Sequence, residues 1–304
     1  VLHAFKLLKL CSSELKAVNL HSYLLIINMT KLKNIKVVVS DLDGTLLNPQ
    51  HRISDYTKSI FQELHNQGYL IVIATGRHHL DAMAIIDKLE IPVYLVSSNG
   101  ARIHSPNKEE LFAFNLNSDI VKAALNVEID PEITVVLFKE NTWQTNKWNE
   151  KLNSFQEELK YRPELVDYKA LDDFAAIKIF FSCADHEKLV KLKDEILANS
   201  SEHLHHAFSL PTCLEFMDKS IDKAVSIERV LEKEGFTLKE AVAFGDGYND
   251  VQMLSAAGKG LIMGNAPASL KEELSDLEVI ETNAEDGVAK YIASKILDKE
   301  FATT

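Results

Sequence analysis

The chain has 304 residues, 46% hydrophobic and 26% charged, enough for one large globular domain or two moderate ones. Its 11 glycines and 7 prolines exclude a collagenous or low-complexity chain, and a formal net charge of −12 argues against nucleic acid or an anionic membrane as a partner. There is no apolar run of about 18 residues to span a bilayer, and Cys11, Cys183 and Cys213 stand apart without CxxC spacing, which suits a reducing, cytoplasmic setting.

Residues 1–33 read as an N-terminal extension, disordered or non-native, with Met29 as a natural start; a loosely docked helix is the alternative. From Asn34 short apolar runs alternate with amphipathic stretches. Ile35 to Val39, mostly β-branched, predicts a strand buried on both faces. Ser54 can cap a helix reaching Asn66, with Gly68 at its stop. Tyr69 to Ala74 predicts a strand, His79 to Leu89 a helix, and Val93 to Val96 a third strand.

The rhythm then changes. Ser105 to Lys108 is a turn between Ala101–His104 and Leu111–Leu116, hence a hairpin. Helices are predicted at Ser118–Asn126, Asn149–Leu159 and His186–Asn199, and strands at Ile133–Lys139, Thr142–Thr145 and Ile177–Cys183. After Pro211 the parallel rhythm returns, with strands at Leu214–Met217, Ala241–Phe244 and Gly260–Met263 and helices at Asp222–Glu234 and Asn249–Ala257. The expected architecture is an α/β doubly wound parallel sheet, residues 34–100 and 209–304, interrupted by an inserted α+β cap, residues 101–208. Hinges are expected near Gly100 and Ser209-Leu210-Pro211, with the cap hung over the carboxyl edge of the sheet.

Asp41 and Asp43 follow the first strand directly. On extended chain, residues i and i+2 point the same way, so both carboxylates can face the carboxyl end of the sheet, where such sheets bind ligands. Two close carboxylates repel, and a hard divalent ion such as Mg²⁺ relieves the conflict; a polar turn closed by Gly44 is the plainer reading. Gly245-Asp246-Gly247-Tyr248-Asn249-Asp250 repeats this pattern after another strand, with Asp246 able to complete a metal shell and Asp250 behind it. Thr75-Gly76-Arg77 offers a hydroxyl and N–H groups for a phosphate, or simply a helix cap. Lys223 opens a helix, against the local dipole, which an adjacent anion would explain.

These four motifs, in this order, resemble those of the haloacid dehalogenase-like hydrolases, and Ser98-Asn99-Gly100-Ala101 with the insert position resembles the Cof-type branch. The likeness covers Ile35 to about Leu297. It implies a Mg²⁺-dependent phosphatase acting on small phosphomonoesters, sugar phosphates or pyridoxal 5′-phosphate; a phosphomutase using the same aspartyl-phosphate is the alternative. Asp41 would be the nucleophile and Asp43 the acid and base. Asp41, the Asp43 carbonyl and Asp246 would hold the metal, while the Leu42 backbone, Thr75, Gly76, Lys223 and Asn249 would hold the phosphate. Many relatives have Gly-Val-Ser-Lys-Gly where this chain has Ser220-Ile221-Asp222-Lys223-Ala224. His78 and His79 are candidates to line the pocket, Trp143 and Trp148 are read as packing, and His203, His205 and His206 as a surface loop.

Overall fold

The computed structural model describes residues 34–148, 163–199 and 204–298; the expected extension, the helix at Asn149–Leu159 and His203 lie outside them. Strand β1 (Val37–Ser40) is wholly buried because it is flanked on both sides, by β2 (Leu70–Ala74) and by β12 (Ala241–Gly245), in parallel register. Its side chains alternate between two cores, as period two requires. Val38 packs with Phe61 of α1 (Asp55–Asn66) and Ile292 of α8 (Gly287–Lys295). Val37 and Val39 pack with Ile227 of α5 (Lys223–Glu234) and Leu254 of α6 (Val251–Ala256). Each such valine contributes about 1.5–3 kcal/mol of burial, so an aspartate at Val38 would breach the centre of the fold.

The large sheet has eight strands, in the order β14 (Glu278–Val279), β13 (Lys259–Ile262), β12, β1, β2, β3 (Tyr94–Ser97), β4 (Arg102–His104) and β5 (Glu110–Ala113). Strands β3, β13 and β14 extend the parallel part on either side. The strand order reverses at β1 and β12, the usual position for a binding crevice in a doubly wound sheet. Helix starts and stops follow local chemistry. Ser54 accepts from the Thr57 N–H at 3.0 Å, Asp222 from that of Val225 at 2.8 Å, and Gly235 ends α5 in the left-handed region at φ 78°.

Two expectations are corrected by sheet membership. The hairpin of β4 (Arg102–His104) and β5 (Glu110–Ala113), expected with the insert, pairs antiparallel onto β3 and completes the large sheet. Strand β11 (Cys213–Asp218), expected to resume the parallel sheet, instead pairs antiparallel with β9 (Lys178–Ser182) and β10 (Leu204–Leu210) in a second sheet. That sheet runs β10-β11-β9-β6-β7-β8, with β6 (Thr134–Phe138), β7 (Trp143–Thr145) and β8 (Glu164–Leu165). One face is covered by α3 (Ser118–Leu125) and α4 (His186–Asn199), through Val121, Leu189 and Ile196 packed on Val135, Ile179 and Phe216.

The chain therefore crosses between sheets after β5 and after β11. Gly100 does not act as an open joint: at φ 108°, a Cβ there would lie 2.4 Å from the Asp222 carbonyl oxygen. Ser209 and Leu210 end β10 and Pro211 opens the short turn to β11, and His205 and His206 lie in β10 rather than in a loop. The first crossing is braced by Arg102, 1% exposed, which donates to the carbonyls of Ala101 and Phe114, to Asn115 Oδ1 and to Glu140 Oε2.

Candidate active site

The strand ends of β1, β2 and β12 carry the candidate residues, and one buried ammonium joins them. Lys223, fully buried as the first residue of α5, donates to Asp41 Oδ1 at 2.7 Å and to Asp250 Oδ1 at 2.6 Å. Asp222 supplies the helix cap here, so the start of α5 is well formed with Ser220 and Ala224 at the positions where the resemblance led to an expectation of glycine. The second oxygen of Asp250 accepts from the N–H groups of Asp246 at 3.0 Å and Gly247 at 2.9 Å. Asp250 thus shapes the loop that presents Asp246. Thr45 donates to Asp246 Oδ1 at 2.9 Å, and Asn265 bridges the Gly44 carbonyl at 2.8 Å and Asp246 Oδ2 at 3.4 Å.

Only glycine fits at position 44. Its φ is 76°, and a Cβ would lie 2.1 Å from Asp246 Oδ2, so the loop after β1 can close on that carboxylate only without a side chain.

Carboxylate oxygens of Asp41, Asp246 and Asp250 lie within 4.8 Å of one another, the single such cluster of acidic, histidine or cysteine ligands among the described residues. Burial pushes the Asp41 carboxyl well above its ordinary range, against the pull of Lys223 and with the push of Asp250 and Asp246. Burial raises Asp246 to about 6, partly offset by the Thr45 hydrogen bond. Lys223 is held charged: burial disfavours its ammonium, but Asp250 and Asp41 more than compensate. Three clustered carboxylates, of which one ammonium bonds two, leave an all-oxygen, negatively charged pocket, which fits a hard divalent cation such as Mg²⁺.

Asp43 is turned elsewhere. Arg77 forks it, Nε to Oδ2 and Nη2 to Oδ1, both at 2.6 Å, and also donates to Asp81 at 2.8 Å. Burial would raise the Asp43 carboxyl, yet Arg77, aided by His51, holds it below the usual range. Thr75 is buried at the end of β2, its Oγ1 accepting from the Arg77 N–H at 3.1 Å. Asn249 donates to Asn99 Oδ1 at 2.9 Å, and Asn99, left-handed at φ 54°, donates to Met217 Sδ of β11. The Leu42 carbonyl accepts from the Leu47 N–H at 2.8 Å within the turn that follows Asp41.

His78 and His79 do not line an open pocket. His78 is 2% exposed and its Nε2 pairs at 2.9 Å with the carbonyl of Lys139, just past β6; burial, then His79, pushes it down to about 3. His79 stacks between His78 and His104, and burial lowers it to about 4. Trp143 packs on Phe138 with ring centroids 4.8 Å apart, as expected, while Trp148 is 41% exposed.

Sequence reasoning passed over Thr45, Arg77, Asn99 and Asn265. Thr45, Arg77 and Asn99 lie inside the motifs, Thr45 closing the segment that starts at Asp41, whereas Asn265 belongs to none and reaches Asp246 from 19 residues away.

Residues 38–292 match the family model of haloacid dehalogenase-like hydrolases. An HMP-PP phosphatase of Cronobacter sakazakii is 35% identical over 252 residues, covering 83% of this chain and 92% of that protein. One from Escherichia coli is 32% identical over 257 residues, covering 84% and 94%. A solved haloacid dehalogenase-like hydrolase from Bacteroides thetaiotaomicron superposes with a TM-score of 0.73 at 28% identity, covering 86% of this chain and 99% of that one.

Proposed function

The chain belongs to the haloacid dehalogenase-like hydrolases and is a phosphatase of that family; from that premise we propose that it hydrolyses small phosphomonoesters with Mg²⁺, through a phosphoryl-aspartate at Asp41. The observation that carries the reading is the buried Lys223 bonded to both Asp41 and Asp250, with Asp246 alongside. Lys223 occupies Oδ1 of Asp41, which leaves Oδ2 to attack phosphorus. Asp41, the Asp43 carbonyl and Asp246 would hold Mg²⁺, which when bound neutralises charge on the transferring group. The Leu42 backbone, Thr75, Gly76, Lys223 and Asn249 would hold the phosphate oxygens. Asp43 would give a proton to the leaving oxygen and later take one from the hydrolytic water. For that it must leave the Arg77 fork, because an ion-paired carboxylate carries no proton to give.

The smaller sheet would be an inserted cap that closes over this edge. Its inward face carries Phe138 and Phe180 around the Lys178–Glu215 pair, which suits a flat ring as the leaving group. The substrate panel therefore sets HMP-PP, for which the relatives are named, beside pyridoxal 5′-phosphate and sugar phosphates, compared by kcat/KM. The decisive assay is phosphate release from para-nitrophenyl phosphate. It should require Mg²⁺ and vanish in Asp41→Asn, by on the order of 10⁴-fold or more. Full activity in EDTA, or an active Asp41→Asn, would sink the mechanism; turnover only with an added bisphosphate would mark a phosphomutase instead.

A further inference from the structure

Lys178, the first residue of β9, is 4% exposed and pairs in register with Phe138, beside an apolar cluster of Ala101, Val136, Phe138, Trp143 and Ile177. A buried ammonium is costly unless each of its donors is satisfied. Glu215 Oε2 on neighbouring β11 lies at 2.8 Å, and the Phe138 ring centroid at 4.6 Å. Those two contacts would keep the charge within its own sheet. The remaining hydrogen bond instead crosses to the large sheet, to the carbonyl of Gly76 at 3.1 Å.

Gly76 lies between two residues of the candidate site. Before it, the Thr75 hydroxyl accepts from the Arg77 N–H; after it, Arg77 forks Asp43. Turning the Gly76 peptide therefore moves the Thr75 hydroxyl and the guanidinium together. With its carbonyl oxygen engaged by an ammonium, the turn offers N–H and hydroxyl groups, rather than a lone pair, to an incoming phosphate. Gly76 is also closely covered, since a Cβ there would be 3.1 Å from Asn99 Oδ1. Asn99 in turn links Asn249 to Met217 of the smaller sheet, so that sheet grips the turn at a second point.

We propose that Lys178 is a positioning residue for phosphoryl transfer: by holding the Gly76 carbonyl it makes docking of the smaller sheet and assembly of the phosphate-holding turn a single event. The proposal rests on the phosphatase reading above. Lys178→Met with Glu215→Gln removes both charges while keeping side-chain bulk. Its circular dichroism should match wild type, kcat should fall about 10- to 100-fold with KM moved far less, and amide exchange in residues 75–80 should quicken. Lys178→Arg, which retains a cationic donor, should restore most of kcat. A neutral pair that keeps full kcat, or an arginine variant as slow as that pair, would overturn the assignment, because a purely structural ion pair shifts stability alone.

If the neutral pair does not fold, wild-type protein decides the matter by hydrogen exchange with Mg²⁺ and orthophosphate. Protection of residues 75–80 and 178–182 should rise together; protection of the turn alone overturns the proposal. Absence of Mg²⁺-dependent phosphate release by wild type would remove the phosphatase reading, while the exchange comparison of variant and wild type still reports whether Lys178 holds the turn.

Discussion

At the carboxyl edge of the large sheet, Lys223 is the one ammonium bonded within the cluster of Asp41, Asp246 and Asp250, reaching Asp41 and Asp250; on the inward face of the smaller sheet, Glu215 meets Lys178 one to one. The first group sits in loops and at a helix start, the second within strands β9 and β11. One arrangement is short of positive charge and calls for something from solution. The other is neutral in itself and serves to hold position. Buried ion pairs in one fold are therefore separable by their charge balance.

Substitution of the lysines should expose this contrast most strongly. Lys223→Met leaves Asp41 and Asp250 buried without a counter-charge, and we expect a loss of about 3–5 kcal/mol by chemical denaturation, with no phosphate release. Neutralising Lys178 and Glu215 together should change stability by far less. Equal losses in the two cases would erase the distinction.

Asp43→Asn tests the half-exposed member of the edge. Its fold should be intact and kcat lowered by about 10²- to 10⁴-fold, more for alkyl phosphates than for para-nitrophenyl phosphate, whose leaving group needs little protonation. An equal deficit for both substrates would argue that Asp43 does not handle the leaving-group proton.

Gly44→Ala should act on both stability and metal. The left-handed backbone and the approach of Asp246 together cost about 1–3 kcal/mol, and calorimetric titration should show weaker Mg²⁺ binding. Unchanged Mg²⁺ affinity would remove Asp246 from the metal shell.

The smallest effect is a dependence on pH that runs in opposite directions in the two regions. Between the ordinary carboxylate range near pH 4 and about 6, metal-free native protein keeps the Asp246 proton that the unfolded chain has released. Stability from this group is lost as pH rises through that window, and Mg²⁺ should flatten the slope. His78 and His79, held neutral down to about 3 and 4, do the reverse: below about 6.5 the unfolded chain takes up protons that the native seam refuses, so acid weakens it. Thermal midpoints of wild type, Asp246→Asn and His78→Gln measured from pH 7 to 4.5 should diverge in these directions. Parallel curves would refute the assignment.

The contrast also explains what could be read from the sequence. The edge was legible because its acids follow buried strands: the i and i+4 spacing of Asp246 and Asp250 brings both to Asp41, whereas the i and i+2 spacing of Asp41 and Asp43 places both at the strand end but Arg77 draws the Asp43 side chain away. Lys178 and Glu215 are 37 residues apart and meet only because β9 and β11 pair. The hairpin at Arg102–Ala113 was visible as a hairpin, but its sheet was not, since pairing depends on which edge has free backbone groups. Pro211 looked like the resumption of the parallel sheet and proved to be a turn within the smaller one. Histidines 205 and 206 sit in a strand whose alternation turns His206 onto Phe216, a pattern hidden by their polarity.

The two chain crossings differ mechanically. The outgoing one is clamped by Arg102 three strands from β1, at the quiet end of the large sheet. The returning one, residues 219–222, ends at the cap of α5 and so at Lys223 itself. A rotation of the smaller sheet thus has a fixed pivot on one side and, on the other, a short tether attached to the charge at the centre of the site. Lengthening that tether by two residues would slacken the drive, whereas the same insertion in the Ser105–Lys108 turn would be taken up at the surface.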